Sequence, residues 1–353
     1  MNPPTPSPPT AGTGFENTKG DHQMRQPRIT RPGACYHVTS RCANKEFFLR
    51  GREDFALALL RRAAAFSGVE LLDFALMGNH FHLLVRVPEA KPVPDDELER
   101  RVRALYGEKR GDRLLNTWAK CIERGEASRV EEAKAKLIRR MYDLGEFVKT
   151  FKENFSRAFN RQTGHTGTVW ETRFHSVLVA TEWNALYSVG SYIAANPFVA
   201  GCCKTAADYA WSGYALAKRG DRLAQEGVVR LVQLAQGDRR PRSAKEALAM
   251  YEEQLERRRP GAVSGRLPDG VDLTTLGARL TRGQACKKEE KPYCEEAALW
   301  RGGAIGSKAA MARLAAELRK PVPTTEWSDG LYAVRGGDSL AMPDRDGPFR
   351  AVA

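Results

Sequence analysis

The chain has 353 residues, 42% hydrophobic and 28% charged, with seven cysteines and a formal charge of +13. That is apolar content enough for a packed core, with no run of eighteen apolar residues to span a membrane and no leader-like N-terminus. Cysteines without a C-x-x-C pair argue against a disulfide framework or a structural zinc site, so a cytoplasmic protein is expected. The excess of 56 Lys+Arg over 43 Asp+Glu makes a polyanion a natural partner, nucleic acid being the commonest.

Residues 1–23 hold five prolines in their first nine positions and little that is apolar, which predicts a disordered tail. From Met24 the texture changes. Tyr36 to Arg41 reads as a strand, with Tyr36, Val38 and Ser40 on one face and His37 and Thr39 on the other. Residues 53–66 carry a helical apolar stripe. Val69 to Met77 is a second strand, Gly78-Asn79 a hairpin signal, and His80 to Val87 the returning strand. A polar insertion, 91–135, predicts helices near 95–106 and 112–123. Ser128 with Glu131 forms an S-x-x-E box that opens a helical region running to Asn160, in which Leu144, Phe147, Phe151, Phe155 and Phe159 recur at helical steps. Arg173 to Ala180 is a fourth strand, and 182–195 a third core helix ending at Asn196-Pro197.

The order β-α-β-β-α-β predicts an α+β, ferredoxin-like (split βαβ) domain over 24–218. Its sheet would have four antiparallel strands, with helices on one face and the insertion 91–135 appended. Residues 219–353 read as a mainly helical extension to which the sequence assigns no role. Its clearest parts are a helix from Ser243, closed by Arg257–Arg259 and Pro260, and another near 307–318, entered from the GAIGSK stretch at 303–308.

His80 and His82 flank Phe81 on one strand, so both imidazoles project from the same face about 6.6 Å apart along the backbone while Phe81 enters the core. Such a pair can share one metal, with a further ligand from elsewhere, or can simply cap the hairpin. Tyr192 and Asn196 are one helical turn apart on one face. Asn196 can offer an oxygen to a hard cation beside the phenol of Tyr192; alone, a helix tyrosine more often packs. Tyr187 points to another side of the helix. Between 134 and 162 eight bases face three acids, and a cationic helix face beside a metal site suits backbone phosphates. Lys149, Lys152, Arg157 and Arg161 on that helix, with Arg41 and Arg173 at strand ends, are the candidate DNA contacts. His37 reads either as part of the site or as a satisfied strand histidine, and Trp170 as a packing residue on which a base could stack.

Four segments, GACYHVTSRCANKEFF (33–48), LMGNHFHLLV (76–85), FSRAFNRQTGHTGTVWETRFHSVLV (155–179) and YIAANPFVAG (192–201), give the region from Met24 to about Tyr214 a recognisable pattern. It resembles the single-tyrosine HUH transposases of the insertion-sequence group, specifically the REP-associated tyrosine transposase branch. The family usually has Pro before the Asn-His-x-His, where this chain has Gly78. The resemblance implies that His80 and His82, with Asn196, hold Mg²⁺ or Mn²⁺. It implies that Tyr192 attacks single-stranded, hairpin-forming DNA, leaving a 5′-phosphotyrosine link and a free 3′-OH without ATP. It also allows a homodimer, and a location on the nucleoid when DNA is bound. A domesticated DNA-binding protein that no longer cuts, and a hydrolase using metal-bound water, stay open as rival readings; an intact His80/His82/Tyr192/Asn196 set favours the strand-transfer enzyme.

Overall fold

The computed structural model describes residues 28–237, 241–281, 287, 289–294, 302–318, 324–328, 331–335 and 350–352; the proline-rich segment 1–23 lies outside them. In chain order the first elements are β1 (Arg28–Thr30), β2 (Cys35–Arg41), α1 (Glu53–Ser67), β3 (Glu70–Leu76) and β4 (His80–Arg86). Helices α2 (Asp95–Tyr106), α3 (Glu108–Glu123), α4 (Ala127–Ile138) and α5 (Leu144–Thr163) follow, then β5 (His175–Val179) and α6 (Trp183–Val199). Next come α7 (Gly213–Lys218), α8 (Arg222–Gln236), α9 (Ala244–Arg258), α10 (Leu273–Thr281) and α11 (Lys291–Cys294). The last described elements are β6 (Gly302–Ser307), α12 (Lys308–Glu317), β7 (Thr324–Ser328), β8 (Leu331–Arg335) and β9 (Arg350–Val352).

The result is a mixed α+β molecule built on an open, mostly antiparallel sheet in the order β3-β4-β2-β5-β6-β8-β7. This corrects the four-stranded sheet expected from the sequence. The pairs β3·β4, β4·β2 and β2·β5 are antiparallel, and β5·β6 is parallel. Among its described residues the extension carries more helix than strand, but it also lays three strands, β6, β8 and β7, beyond β5 in the same sheet. Gly302, Gly303 and Gly306 dilute the strand signal of β6, and its partner β5 lies far upstream, so no local pattern announces the pairing.

Helices cover both faces of the sheet, where one face was expected. Tyr36, Val38, Phe81, Leu83 and Leu178 pack with α1, α5 and α12 around Phe147, Phe151 and Phe155. The alternate residues Cys35, Leu84, Val177 and Val179 pack with α6, α8 and α9. The reason is visible in β2, whose side chains are buried in an unbroken run from Cys35 to Ser40; a strand apolar on both faces needs two covering layers. The insertion closes a small core of its own, with Leu98, Val102, Trp118, Val130 and Leu137 set against Phe66 of α1.

Two helix boundaries depart from expectation. The helix expected from Ser128 to Asn160 is two helices, since Tyr142 adopts a positive φ of 54° and Asp143 restarts the chain as N-cap, its carboxylate accepting from Glu146 N at 2.7 Å. The first of the two begins at Ala127 without a side-chain cap, so the Ser128/Glu131 box does not act as one. The helix expected to end at Asn196 runs on to Val199 with Pro197 inside it. Pro197 cannot donate to the turn before it, and the helix runs two residues past it. Among the described residues no helix is long and apolar enough to cross a membrane.

Candidate active site

The β3–β4 hairpin turns tightly, Met77 N donating to His80 O at 2.9 Å, and this sets the register of β4. His82 then lies opposite Thr39 of β2, and His37 opposite Leu84. A diagonal pair at that offset is within reach for aromatic side chains. The rings of His37 and His82 stack with centroids 5.2 Å apart, and His37 Nε2 is 3.0 Å from His82 Nδ1. His80 stands edge-on to His82 at 5.1 Å, its Nδ1–H donating to Asn79 Oδ1 at 2.6 Å. Phe81 enters the opposite core against Phe151 and Trp170, as the strand alternation predicts.

Helix α6 crosses this face of the sheet and brings Tyr192 to the histidines. The tyrosine ring lies 5.3 Å from His82 and 6.0 Å from His37. Asn196 Nδ2 donates to Tyr192 Oη at 3.3 Å, and the Asn196 side chain also hydrogen-bonds His80. Tyr192 is 6% exposed and Asn196 8%. Burial lowers the His80 imidazole to about 4, with Arg41 adding to the effect and Asn196 opposing it. His82 is held well below its ordinary value by burial, then by His80, His37 and Arg41. Both rings are therefore neutral at physiological pH, the form that ligates a metal. Each has its Nδ1 engaged, so Nε2 is the nitrogen that a cation would meet. Among the described residues no group of three His, Cys, Asp or Glu is arranged to hold a metal; the polar group beside the two imidazoles is the Asn196 amide.

The other candidate residues divide. Lys149, Lys152, Arg157 and Arg173 line a groove of about 630 Å³ together with Trp170, Thr172 and Phe174. Lys152 Nζ donates to Thr172 O at 2.9 Å and lies 5.3 Å from the Trp170 ring, while Lys149 and Arg157 each pair with a glutamate of their own helix. Arg161 is exposed further along α5 and does not line this groove. Sequence spacing predicted the cationic helix beside the histidines, but α5 packs on the opposite face of the sheet from α6. At the sheet end Arg41 lies opposite His80 in the β2–β4 register, and its carbonyl accepts from Glu171 N at 3.0 Å. Trp170 packs, with Nε1 donating to Lys152 O at 3.2 Å. Tyr187 is buried under α8, taking a 3.3 Å hydrogen bond from Gln236, away from the histidines. His37 belongs to the cluster, and Arg259 of the extension, whose Cζ is 6.0 Å from the Tyr192 ring centre, joins it unannounced.

No family model matches the chain, and no curated protein does. Among solved structures it is similar to one described as a REP-associated tyrosine transposase bound to a REP hairpin, at 13% identity and a TM-score of 0.37. The similarity covers 56% of this chain and 86% of that one. A likeness of that size does not place the chain in a family.

Proposed function

We propose that the protein is a single-tyrosine DNA strand-transfer enzyme of the transposase type, acting on single-stranded, hairpin-forming DNA. The observation that carries this reading is the convergence of Tyr192, Asn196, His80 and His82 in one cluster drawn from a strand and a helix. Strands β3, β4, β2 and β5 stand in the order a split βαβ unit gives, which supports a ferredoxin-like reading of that half of the sheet.

The donor set of two neutral imidazoles and an amide oxygen fits a divalent cation, Mg²⁺ or Mn²⁺, held by His80, His82 and Asn196. When bound, the cation polarises the phosphodiester. His37 would fix the tautomer and tilt of His82, as the outer partner of a ligating histidine does. Tyr192 Oη, oriented by Asn196, attacks the phosphorus and gives up its proton. The new O–P bond replaces the bond to the 3′ oxygen, which takes a proton and leaves as the 3′-OH. The phosphotyrosine link retains the energy for rejoining. Arg41 at the sheet end, with Lys149, Lys152, Arg157 and Arg173 along the groove and Arg161 beyond it, would contact the backbone phosphates around the end of the sheet.

The test is a denaturing gel for a covalent protein–DNA adduct, using labelled hairpin oligonucleotides with Mn²⁺ or with EDTA. A metal-dependent adduct in the wild type, absent from Tyr192→Phe, is the expected result. Tight binding with no adduct would favour a non-cleaving DNA-binding protein, and cleavage surviving in Tyr192→Phe would favour a hydrolase.

A further inference from the structure

Asn184, Ser188, Tyr192 and Asn196 follow one another at four-residue steps on α6, so they form one polar line along a helix face. The Asn196 end meets His80. The Asn184 end meets the last turn of α9, where Arg258 spans the line, Nη2 donating to Asn184 Oδ1 at 3.0 Å and Nε to Ser188 Oγ at 3.1 Å. Arg258 Nη1 is held by Gln254 Oε1 at 2.5 Å. With Arg258 clamped there, the next residue is carried one step along the line. Arg259 comes to rest with its Cζ 6.0 Å from the centre of the Tyr192 ring, Nη1 donating to the Arg258 carbonyl at 3.0 Å.

Arg259 is 5% exposed, and a guanidinium keeps its charge at any physiological pH. Arg41 is a cation acting on the histidines of the cluster. A tyrosine hydroxyl whose ring lies 6.0 Å from a buried guanidinium, next to histidines that feel a second one, is a favourable place for an anion. The planar fork of arginine matches two oxygens of a phosphate, which a point charge does not.

We infer that Arg259 is a substrate-binding residue: it grips the non-bridging oxygens of the phosphate delivered to Tyr192, and α9 exists in part to deliver it. The inference rests on the reading of Tyr192 as the nucleophile. It gives the extension after residue 219 a part in the active site.

The test compares full-length wild type, Arg259→Gln and Arg259→Lys in two ways. The first is binding of a fluorescent single-stranded hairpin oligonucleotide in EDTA over a salt series, read as the slope of log K against log salt. Loss of one phosphate contact flattens that slope by about 0.7 for a single strand, and Arg259→Gln is expected to show it while Arg259→Lys keeps most of the slope. The second is the rate of adduct formation at saturating DNA with Mn²⁺, expected to fall about 10²-fold in Arg259→Gln, as when one donor to a developing charge is removed, and to be partly restored in Arg259→Lys. A folded Arg259→Gln protein with unchanged slope and rate overturns the inference. Should that variant lose its cooperative melting transition, Arg259→Lys decides: a slower saturating rate at unchanged slope supports the fork-specific grip, and no change in either overturns it. A flattened slope in Arg259→Gln alongside a wild type that forms no adduct would retain the phosphate contact and remove the nucleophile reading instead.

Discussion

Asp73 is fully buried at the bulge of β3, where the register shifts between Leu71 and Asp73. Its Oδ2 accepts from Tyr251 Oη at 2.5 Å, and its Oδ1 from the backbone N–H groups of Phe74 and Tyr214 at 2.8 and 3.1 Å. Burial still wins, raising the carboxyl from 3.8 to about 7. The native protein thus keeps a proton that the unfolded chain has lost, so stability falls as pH rises from about 4 to about 7. Replacing Asp73 by Asn removes this dependence. The melting temperature of the wild type, measured relative to Asp73→Asn, should decline across that window and level off above it; a pH-independent difference would show that the carboxyl is ionised throughout. At the same scale, His37→Ala should weaken Mn²⁺ binding by about 10–100-fold, read by calorimetry on the folded protein, because His37 Nε2 engages His82 Nδ1 at 3.0 Å. Neither residue was assigned from the sequence. Asp73 looks like an ordinary strand acid, and the meeting of His37 with His82 depends on the register between β2 and β4, which neither strand encodes alone.

Elements with strong periodicity were legible. Helix α2 occupies 95–106 as its spacing predicts, and α9 starts behind the Ser243 cap, which accepts from Glu246 N at 3.1 Å. What the pattern could not show was the break before α5, where the apolar period continues through a residue in left-handed conformation. Asp143→Ala should therefore cost about 1 kcal/mol, against about 3–5 kcal/mol for Phe151→Ala, whose ring is fully buried between α5 and the sheet. Urea denaturation of both would check the ranking; a larger loss for Asp143→Ala would mean that the cap holds more than one helix. Helix α6 explains why the nucleophile candidate was readable. Tyr192 and Asn196 lie within one turn, and His80 and His82 within one strand, so each half of the cluster is local. Arg259 is distant in sequence from all of them and marked itself only as the basic end of a helix.

At the scale of the molecule, the end of β6 and helix α12 are tied to the start of α6 by a carboxylate. Glu182, the residue before α6, accepts from Ser307 N and Oγ at 3.0 Å each, and from Arg313 Nη2 at 2.8 Å. Glu182→Ala should raise hydrogen exchange in β6 and α12 while leaving β2 and β4 protected, since the latter are closed by their own ladder; uniform protection would mean that the β6 ladder and apolar packing hold these elements without the carboxylate. The parallel pairing of β5 with β6 has a consequence for the order of synthesis. Ribosomes make chain at about 5–20 residues per second, and more than a hundred residues separate the two strands. For several seconds the nascent chain therefore carries β2, β4 and α6 with the flank of β5 open to any passing strand, a template for wrong pairing until the last stretch emerges and seals it.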